Sequence, residues 1–214
     1  MEEALAVHVP GGPTLETRIG PVGSPKGGFV ICHPHPLYGG DMDNPVVIRA
    51  AEVAQAAGYA TLRFNFRGAG GSEGTHDKGR GEQEDVTAVM RALTTRLPAG
   101  SRVGVMGYSF GAAMAARATR PGAPEAPLGL IAPPLGMYDF DFLQGDVPPG
   151  SPGRLLLVAG TADSYCPVEA LHRLAALTSG EERIIQGADH FFFGKLYPLG
   201  EAIGAWLARL PPAP

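Results

Sequence analysis

Short apolar runs alternate with segments of helical periodicity along most of the chain. Two alternating segments near the start, separated by Pro-Gly-Gly-Pro, predict an antiparallel pair of strands. The run at residues 28–32 is apolar throughout, which indicates a strand that is buried on both faces of a sheet. The predicted strands cover residues 5–9, 15–19, 28–32, 59–66, 102–106, 128–132, 155–159 and 183–185.

Segments with helical spacing lie between these strands. The clearest of them has Asn44 as a candidate cap, Pro45 in its first turn and Gly58 as a stop. Strands that alternate with helices predict an α/β fold, with one domain over residues 1–214, a mostly parallel sheet and helices on both faces. The predicted helices cover residues 45–57, 82–97, 167–177 and 199–210, and an Ala-rich helix follows residue 109.

Composition and charge narrow the class of protein. The 214 residues are 44% hydrophobic and 18% charged, which is ordinary for a globular protein. A net charge of -4 gives no electrostatic reason to expect nucleic acid or an anionic membrane as a partner. No apolar run approaches the roughly 20 residues of a membrane span, and the acidic start lacks the features of a signal peptide. Cys32 and Cys166 suggest no disulfide framework, so we expect a cytoplasmic protein.

Gly107-Tyr108-Ser109-Phe110-Gly111 lies between a predicted strand and a predicted helix. This G-x-S-x-G pattern is typical of a nucleophile elbow. In such a turn the serine adopts a strained backbone, and the glycines let neighbouring backbone approach without Cβ clashes. The hydroxyl then projects at the sheet edge, and the Phe110 N–H becomes a candidate oxyanion donor. A plain turn would explain the same five residues, so the surrounding sequence has to decide.

A candidate acid and a candidate base follow two later strands. Asp163 comes after residues 155–159, and His190 comes after residues 183–185. The carboxyl ends of parallel strands meet at one sheet edge, which is also the edge of Ser109. The chain order of serine, aspartate and histidine is the order of a catalytic triad in this architecture. There the imidazole takes the serine proton, while the carboxylate fixes the imidazole tautomer.

Both residues also have a structural explanation. Asp163 would serve equally as a helix cap or in an Asx turn, and His190 as a loop histidine covered by its aromatic neighbours. Other acids would also serve if Asp163 has only that structural role. These further candidates are Asp189, Asp139 and Asp141.

The loop after the third predicted strand begins with HPHP at residues 33–36. In proteins with a nucleophile elbow this loop supplies the second oxyanion N–H. Because proline has no N–H, the donor is His35, or else Leu37 or Tyr38. The two prolines would hold the His35 amide in place, as an oxyanion hole requires, and this favours His35.

The same loop also has a metal interpretation. His33 and His35 stand at i and i+2, so on a strand they would face the same way. A zinc site needs a third ligand, and His190 or Asp163 would have to supply it. The triad explains those two residues better, so we expect no metal and no cofactor.

Taken together, several segments resemble the α/β-hydrolase superfamily. HPHPLYGGDMDNPVV, TLRFNFRGAGGSEGTHDKGRGEQED, GYSFGA and APPLGMYDFDFL are similar to a compact bacterial subfamily of predicted α/β hydrolases, marked by HPHP-x-x-GG-x-M-x-N. The resemblance implies the α/β-hydrolase fold and an esterase-like or thioesterase-like activity. It also implies Ser109 as nucleophile, Asp163 as acid and His190 as base. Dienelactone hydrolases are of similar size but carry cysteine at the elbow, so the serine argues against their chemistry.

The resemblance also bears on the substrate. Larger α/β hydrolases carry a helical cap after the sixth strand, whereas residues 133–153 allow only a short flap, a minimal cap. We therefore expect an open site for a small-molecule ester or thioester, cleaved through an acyl-enzyme. A peptidase or acyltransferase on the same triad, or a non-catalytic binding protein that retains the scaffold, is the alternative. The predicted pocket is lined by Tyr38, Tyr108, Tyr138, Phe140, Phe142 and Phe191.

Overall fold

Eight strands form one sheet in the computed structural model, which describes residues 2–21, 23–119, 126–144 and 154–210. The strands are β1 (Glu3–His8), β2 (Thr14–Ile19), β3 (Gly28–Cys32), β4 (Ala60–Phe64), β5 (Val103–Tyr108), β6 (Leu128–Ile131), β7 (Leu155–Gly160) and β8 (Glu181–Ile185). Their order across the sheet is β1-β2-β4-β3-β5-β6-β7-β8. The two pairings made by β2 are antiparallel, and all the others are parallel. The predicted antiparallel pair and mostly parallel sheet are confirmed.

Helices cover both faces of this sheet, as predicted. Those in the described ranges are α1 (Pro45–Ala56), α2 (Arg80–Thr94), α3 (Phe110–Ala118), α4 (Val168–Thr178) and α5 (Leu196–Leu207). Residues of α1 and α5 form one apolar core with one face of the sheet, in which Trp206 packs edge to face on Phe29 at 5.7 Å between ring centroids. Residues of α2, α3 and α4 form the other core, around Phe64 and Phe110. None of these helices is long and apolar enough to cross a membrane.

Burial follows from this layering and sets the position of the site. Every residue of β3 to β7 is buried, because helices shield both sides of these central strands. Apart from β4, which contains Thr61 and Arg63, these strands are continuous apolar runs, and this is why the sequence locates them well. The carboxyl ends of β3 and β5 to β8 all lie at one edge of the sheet, so the loops that leave them meet there.

Some boundaries differ from the prediction. α2 begins at Arg80, because Gly79 has a φ of 87° and Glu82 is the third helical residue, whose carboxylate accepts the Gly79 N–H at 2.8 Å. α5 is shifted toward the N-terminus relative to the predicted 199–210, since its first turn accommodates Pro198. The 3-10 helices Pro36–Tyr38 and Asp141–Leu143 are too short to show periodicity. Residues 145–153 of the predicted flap and the Pro-rich tail at 211–214 lie outside the described residues.

Candidate active site

Ser109 lies in the turn between β5 and α3, with φ 54° and ψ -119°. A positive φ costs a residue with a side chain about 1–3 kcal/mol. The turn is also tight, since a Cβ at Gly107 would lie 2.2 Å from the carbonyl oxygen of Gly111. A Cβ at Gly111 would lie 2.4 Å from the carbonyl oxygen of Cys32. Both glycines of the motif are therefore required by close backbone contacts, as the pattern predicts.

Three side chains from three strand ends form a chain of hydrogen bonds. His190 Nε2 lies 2.9 Å from Ser109 Oγ. The other ring nitrogen, Nδ1, lies 3.0 Å and 2.9 Å from the two carboxylate oxygens of Asp163. An ionised carboxylate only accepts hydrogen bonds, so Nδ1 carries the proton and Nε2 can accept the one on Ser109. Ser109 Oγ thus faces a ring nitrogen that is free to accept its proton, which is the arrangement that nucleophilic catalysis by a serine requires.

Asp163 also organises its own loop. Its Oδ1 accepts the backbone N–H groups of Tyr165 at 2.9 Å and Cys166 at 3.0 Å. The Asx turn suggested as an alternative is therefore present together with the contact to His190. The carboxylate is almost fully buried, so its hydrogen bonds to Tyr165, Cys166 and His190 replace those to water.

Two of the other candidate acids, Asp189 and Asp139, accept hydrogen bonds within their own loops. Asp189 Oδ1 accepts the N–H groups of Phe191 and Phe193, each at 3.1 Å. Asp139 Oδ1 accepts the N–H of Asp141 at 2.7 Å. In the part of the chain that the structure describes, Asp163 is the carboxylate that contacts the His190 ring. The geometry therefore favours it over these residues.

Backbone contacts join the loop that carries Asp163, after β7, to the loop that carries His190, after β8. A Cβ at Gly160 would lie 2.1 Å from the carbonyl oxygen of Ala188, and the Ala162 N–H donates to that oxygen at 2.9 Å. Behind the base, the Tyr108 hydroxyl donates to the carbonyl oxygen of His190 at 3.0 Å. Burial, with a smaller effect from nearby carboxylates, raises the pKa of Tyr108, so this hydroxyl stays protonated. The loop that carries His190 is thus held both by the loop of Asp163 and by the Tyr108 side chain.

The two proposed oxyanion donors also lie close together. Phe110 is the first residue of α3, and its ring packs on the ring of His35 at 4.7 Å. Leu37 donates its N–H to His35 Nδ1, and Tyr38 donates its N–H to the His35 carbonyl oxygen. Among the described residues, the N–H groups of Phe110 and His35 donate to no protein acceptor. This favours His35 over its two alternatives.

His33 is a structural residue of the same loop. Its Nε2 accepts the Phe66 N–H at 2.9 Å, so its proton is on Nδ1, which lies 2.6 Å from the carbonyl oxygen of Pro34. Both ring nitrogens are occupied, which disfavours the metal pair with His35. Within the described ranges, no three His, Cys, Asp or Glu side chains are arranged to hold a metal ion. Burial lowers the pKa of His33 to about 4, against the opposing effect of the Pro34 carbonyl.

The low pKa of His33 predicts acid sensitivity. Between pH 6.5 and about 4, the unfolded chain binds a proton at His33 that the folded chain does not bind. The free energy of unfolding should therefore fall as the pH is lowered through this window, by up to about 1.4 kcal/mol per pH unit from this residue. Urea unfolding at a series of pH values gives the free energy of unfolding as a function of pH. This free energy should change less steeply with pH for His33→Gln than for the wild type. Equal slopes would mean that His33 is not the residue responsible.

The predicted pocket residues divide into two groups. Tyr38 and Phe191 are 84% and 67% exposed, and the Phe191 ring lies 5.7 Å from that of His190. Tyr138 and Phe142 are partly buried, and the Tyr138 ring lies 6.2 Å from that of Phe110. These four side chains remain candidates for the walls of an open site.

Tyr108 and Phe140 are corrections to the predicted pocket. Each is only 3% exposed and belongs to a core. Tyr108 is the last residue of β5, and its hydroxyl donates to the His190 carbonyl oxygen, while Phe140 stacks on Phe142 within the flap. Their aromatic character indicated a pocket, but packing on the sheet accounts for it.

Two residues near the site were not predicted. The Tyr165 ring is 47% exposed and lies 4.8 Å from the His190 ring. Tyr165 follows Asp163 by two residues, and this position in the sequence could have indicated that it lies near the site. His76 lies 4.8 Å from His35 and 5.7 Å from Phe110, between ring centroids. No spacing rule connects His76 to either residue, because only the fold brings its loop to this edge.

Comparison with known proteins identifies relatives of this chain. A family model described as X-Pro dipeptidyl-peptidase (S15 family) matches residues 30–142, a little over half of the chain. The match includes Ser109 and ends before Asp163. The protein RP471 of Rickettsia prowazekii (strain Madrid E) is 35% identical over 207 residues, which cover 92% of this chain and 85% of that protein.

Two solved structures are similar along nearly the whole chain. An α/β serine hydrolase homologue from Coxiella burnetii is 34% identical with a TM-score of 0.83, covering 95% of this chain and 96% of that one. XC6422 from Xanthomonas campestris, described as an α/β serine hydrolase without lid, is 32% identical with a TM-score of 0.85, covering 100% and 97%.

Proposed function

Because the chain belongs to the α/β serine hydrolases, we propose that it cleaves carboxylic esters or thioesters through an acyl-enzyme on Ser109. The observation that carries this proposal is the hydrogen-bonded series Ser109, His190 and Asp163, with distances of 2.9 Å at each step. Ser109 stands at the strained turn that presents its hydroxyl at the sheet edge.

Acylation uses these groups in order. His190 Nε2 takes the proton of Ser109 as Oγ bonds to the substrate carbonyl carbon, and the electron pair of the C=O bond moves to its oxygen. The Phe110 and His35 N–H groups stabilise that oxyanion, since charge develops there only in the transition state. The oxyanion then re-forms the C=O bond, the bond to the leaving oxygen or sulfur breaks, and His190 gives this atom its proton.

Deacylation repeats the sequence with water. His190 takes a proton from a water molecule as its oxygen bonds to the acyl carbon, and then returns that proton to Ser109 Oγ as the acyl acid leaves. Asp163 steadies the imidazolium in both halves without taking its proton. Ser109, His190 and Asp163 are thus restored after each turnover.

The surroundings favour a substrate that reaches an open site. Tyr38, Phe191 and Tyr165 present exposed aromatic surface around the base and the oxyanion side. The flap spans only residues 133–153, and its described part, residues 133–144, contains one 3-10 helix. The relative XC6422 is described as having no lid. An ester or thioester with an apolar acyl or leaving group suits such a surface.

A peptidase is the second candidate, and the S15 match over residues 30–142 is the observation in its favour. That match covers the nucleophile but neither Asp163 nor His190. Amide and ester cleavage use the same triad, so the leaving group distinguishes the two functions.

A substrate panel tests the assignment. We expect the wild type to hydrolyse p-nitrophenyl esters and acyl-CoA thioesters faster than Xaa-Pro p-nitroanilides, and Ser109→Ala to hydrolyse none of them. Added alcohols report acyl transfer as ester products. Faster cleavage of the anilides would favour the peptidase, and activity that persists in Ser109→Ala would refute the serine mechanism.

A further inference from the structure

A cavity of about 680 Å³ lies at the edge of the sheet opposite to the triad. It is lined by the starts of β3 and β5, by the residues just before β4 and β6, and by the end of α5. Arg102 and Ser109 stand at the two ends of β5, which at about 3.3 Å per residue places them about 20 Å apart. The volume of this amino-edge cavity falls within the range of about 300–1,000 Å³ that is typical of small-molecule sites.

The charge around the amino-edge cavity is positive. Lys26 and Arg102 line it, in the segments that lead into β3 and β5, and no Asp or Glu is among the described residues that line it. A Cβ at Gly58 would lie 3.7 Å from Lys26 Nζ, so this ammonium lies beside the residue that precedes Tyr59. Lys26 makes no ion pair with any residue that the structure describes. The cavity therefore attracts anions.

Tyr59 adds a hydroxyl to these two cations. Burial raises the pKa of this hydroxyl, against the opposing effect of the nearby Arg102 charge, so it stays protonated and can donate a hydrogen bond. An ammonium, a guanidinium and a phenolic hydroxyl are all donors to a carboxylate or a phosphate. This part of the cavity therefore suits the head group of an organic anion.

Most of the remaining lining is apolar. Phe29 belongs to β3, Pro127 precedes β6, and Leu207 and Leu210 lie at the end of α5. The Phe29 ring packs edge to face on that of Tyr59, with 5.1 Å between centroids, so apolar surface adjoins the polar side directly. A ligand that fits both parts has an apolar body next to its charge.

A glycine inside α5 keeps this cavity open. Gly204 and Leu207 stand at i and i+3, on one face of the helix, and glycine destabilises a helix interior relative to alanine. A Cβ at Gly28 or Gly104 would lie 2.8 Å or 2.5 Å from a neighbouring side chain, so packing requires those two glycines. A Cβ at Gly204 would meet Val53 at 3.6 Å, which is an ordinary contact. No close contact therefore requires the glycine that leaves this space in the wall.

We propose that the amino-edge cavity binds an amphipathic anion, a small molecule with a carboxylate or phosphate head and an apolar body. Lys26, Arg102 and Tyr59 hold the head, and the apolar residues of β3 and α5 hold the body. The cavity shares no residue with the triad, so the proposal stands whether or not Ser109 is a nucleophile.

Trp206 reports on binding, because it is the single tryptophan of the chain and packs on Phe29 in the cavity wall. The probes are octanoate, octyl phosphate and 1-octanol, which has the same chain length but no charge. We expect one or both anions to change the Trp206 fluorescence to saturation, with a Kd of about 1 mM or lower. Octanol should bind at least about fivefold more weakly, since it lacks the charge. The anion with the lower Kd identifies the preferred head group.

Two variants and a control place the binding in this cavity, with titration calorimetry as a second measurement. Lys26→Gln removes one charge from an exposed side chain and should raise the Kd about twofold to fivefold. Gly204→Leu should abolish binding, because the added side chain takes up part of the cavity. The matched control is Lys78→Gln, since Lys78 is also exposed but lies in the loop after β4, at the opposite edge of the sheet. It should keep the wild-type Kd.

Each contrary result overturns the proposal. A Kd above about 10 mM for both anions would show that the cavity does not bind this class of ligand. A Kd for octanol equal to that of the anions would show that charge plays no part. Saturation that appears only after residues 211–214 are deleted would make the end of the chain the occupant. If Gly204→Leu does not fold in urea unfolding experiments, Lys26→Gln decides, and an unchanged Kd in that variant places any binding elsewhere.

Discussion

Replacing Ser109 with glycine should abolish hydrolysis and at the same time stabilise the fold. Ser109 has φ 54° and ψ -119°, a region that glycine occupies without a Cβ penalty. We expect the free energy of unfolding to rise by about 1 kcal/mol, and kcat to fall by about 10⁴-fold or more, since the nucleophile is lost. Urea unfolding and ester hydrolysis measure the two effects.

Ser109→Ala is the matched control for this result. Alanine also removes the hydroxyl but keeps a Cβ at the positive φ, so this variant should be inactive without the gain in stability. A glycine variant that is less stable than the alanine variant would show that the turn is not strained in the way its dihedral angles indicate.

Asp163→Asn should have the next largest effect on activity. The asparagine amide would turn its NH₂ toward His190 Nδ1 or leave that nitrogen without its acceptor, so the ring proton would move to Nε2. Nε2 then faces Ser109 Oγ as a donor and cannot act as a base. We expect kcat to fall by about 10⁴-fold with KM nearly unchanged. Steady-state kinetics on a p-nitrophenyl ester measure this.

Asp189→Asn is the control, since Asp189 is adjacent to His190 in the chain. Its Oδ1 accepts the N–H groups of Phe191 and Phe193, and an asparagine oxygen can accept the same two bonds. Activity should therefore stay within about threefold of the wild type, as expected for a surface substitution that keeps its hydrogen bonds. A large loss in Asp189→Asn with little loss in Asp163→Asn would assign the acid to Asp189.

The fold was largely predictable because its central strands are buried on both faces. A run such as residues 28–32 or 155–159 has no polar position, and this pattern together with intervening helices leaves few arrangements other than a parallel sheet. Helix ends were less predictable. The start of α2 depends on the left-handed Gly79 and on a carboxylate that bonds back to it, and neither alters the hydrophobic period.

The candidate site was predictable for those residues that have a side chain suited to catalysis and that also follow the end of a predicted strand. Ser109, Asp163 and His190 each follow a strand, so the parallel sheet alone indicates that they meet. The pocket was harder, because an aromatic side chain serves a core as well as a surface. Tyr108 and Phe140 lie in the core, whereas Tyr165 is exposed beside His190. His76 could not be placed, because its loop reaches His35 only through the packing of α2 and α3.

The role of Ser109 as nucleophile is tested most directly by mass spectrometry after reaction with a fluorophosphonate. Attack by Ser109 Oγ on phosphorus would displace fluoride and leave one stable adduct per chain. We expect this adduct on the peptide that contains Ser109, and none on the Ser109→Gly protein. An unlabelled Ser109 in protein that still hydrolyses esters, or an adduct on another residue, would contradict the mechanism.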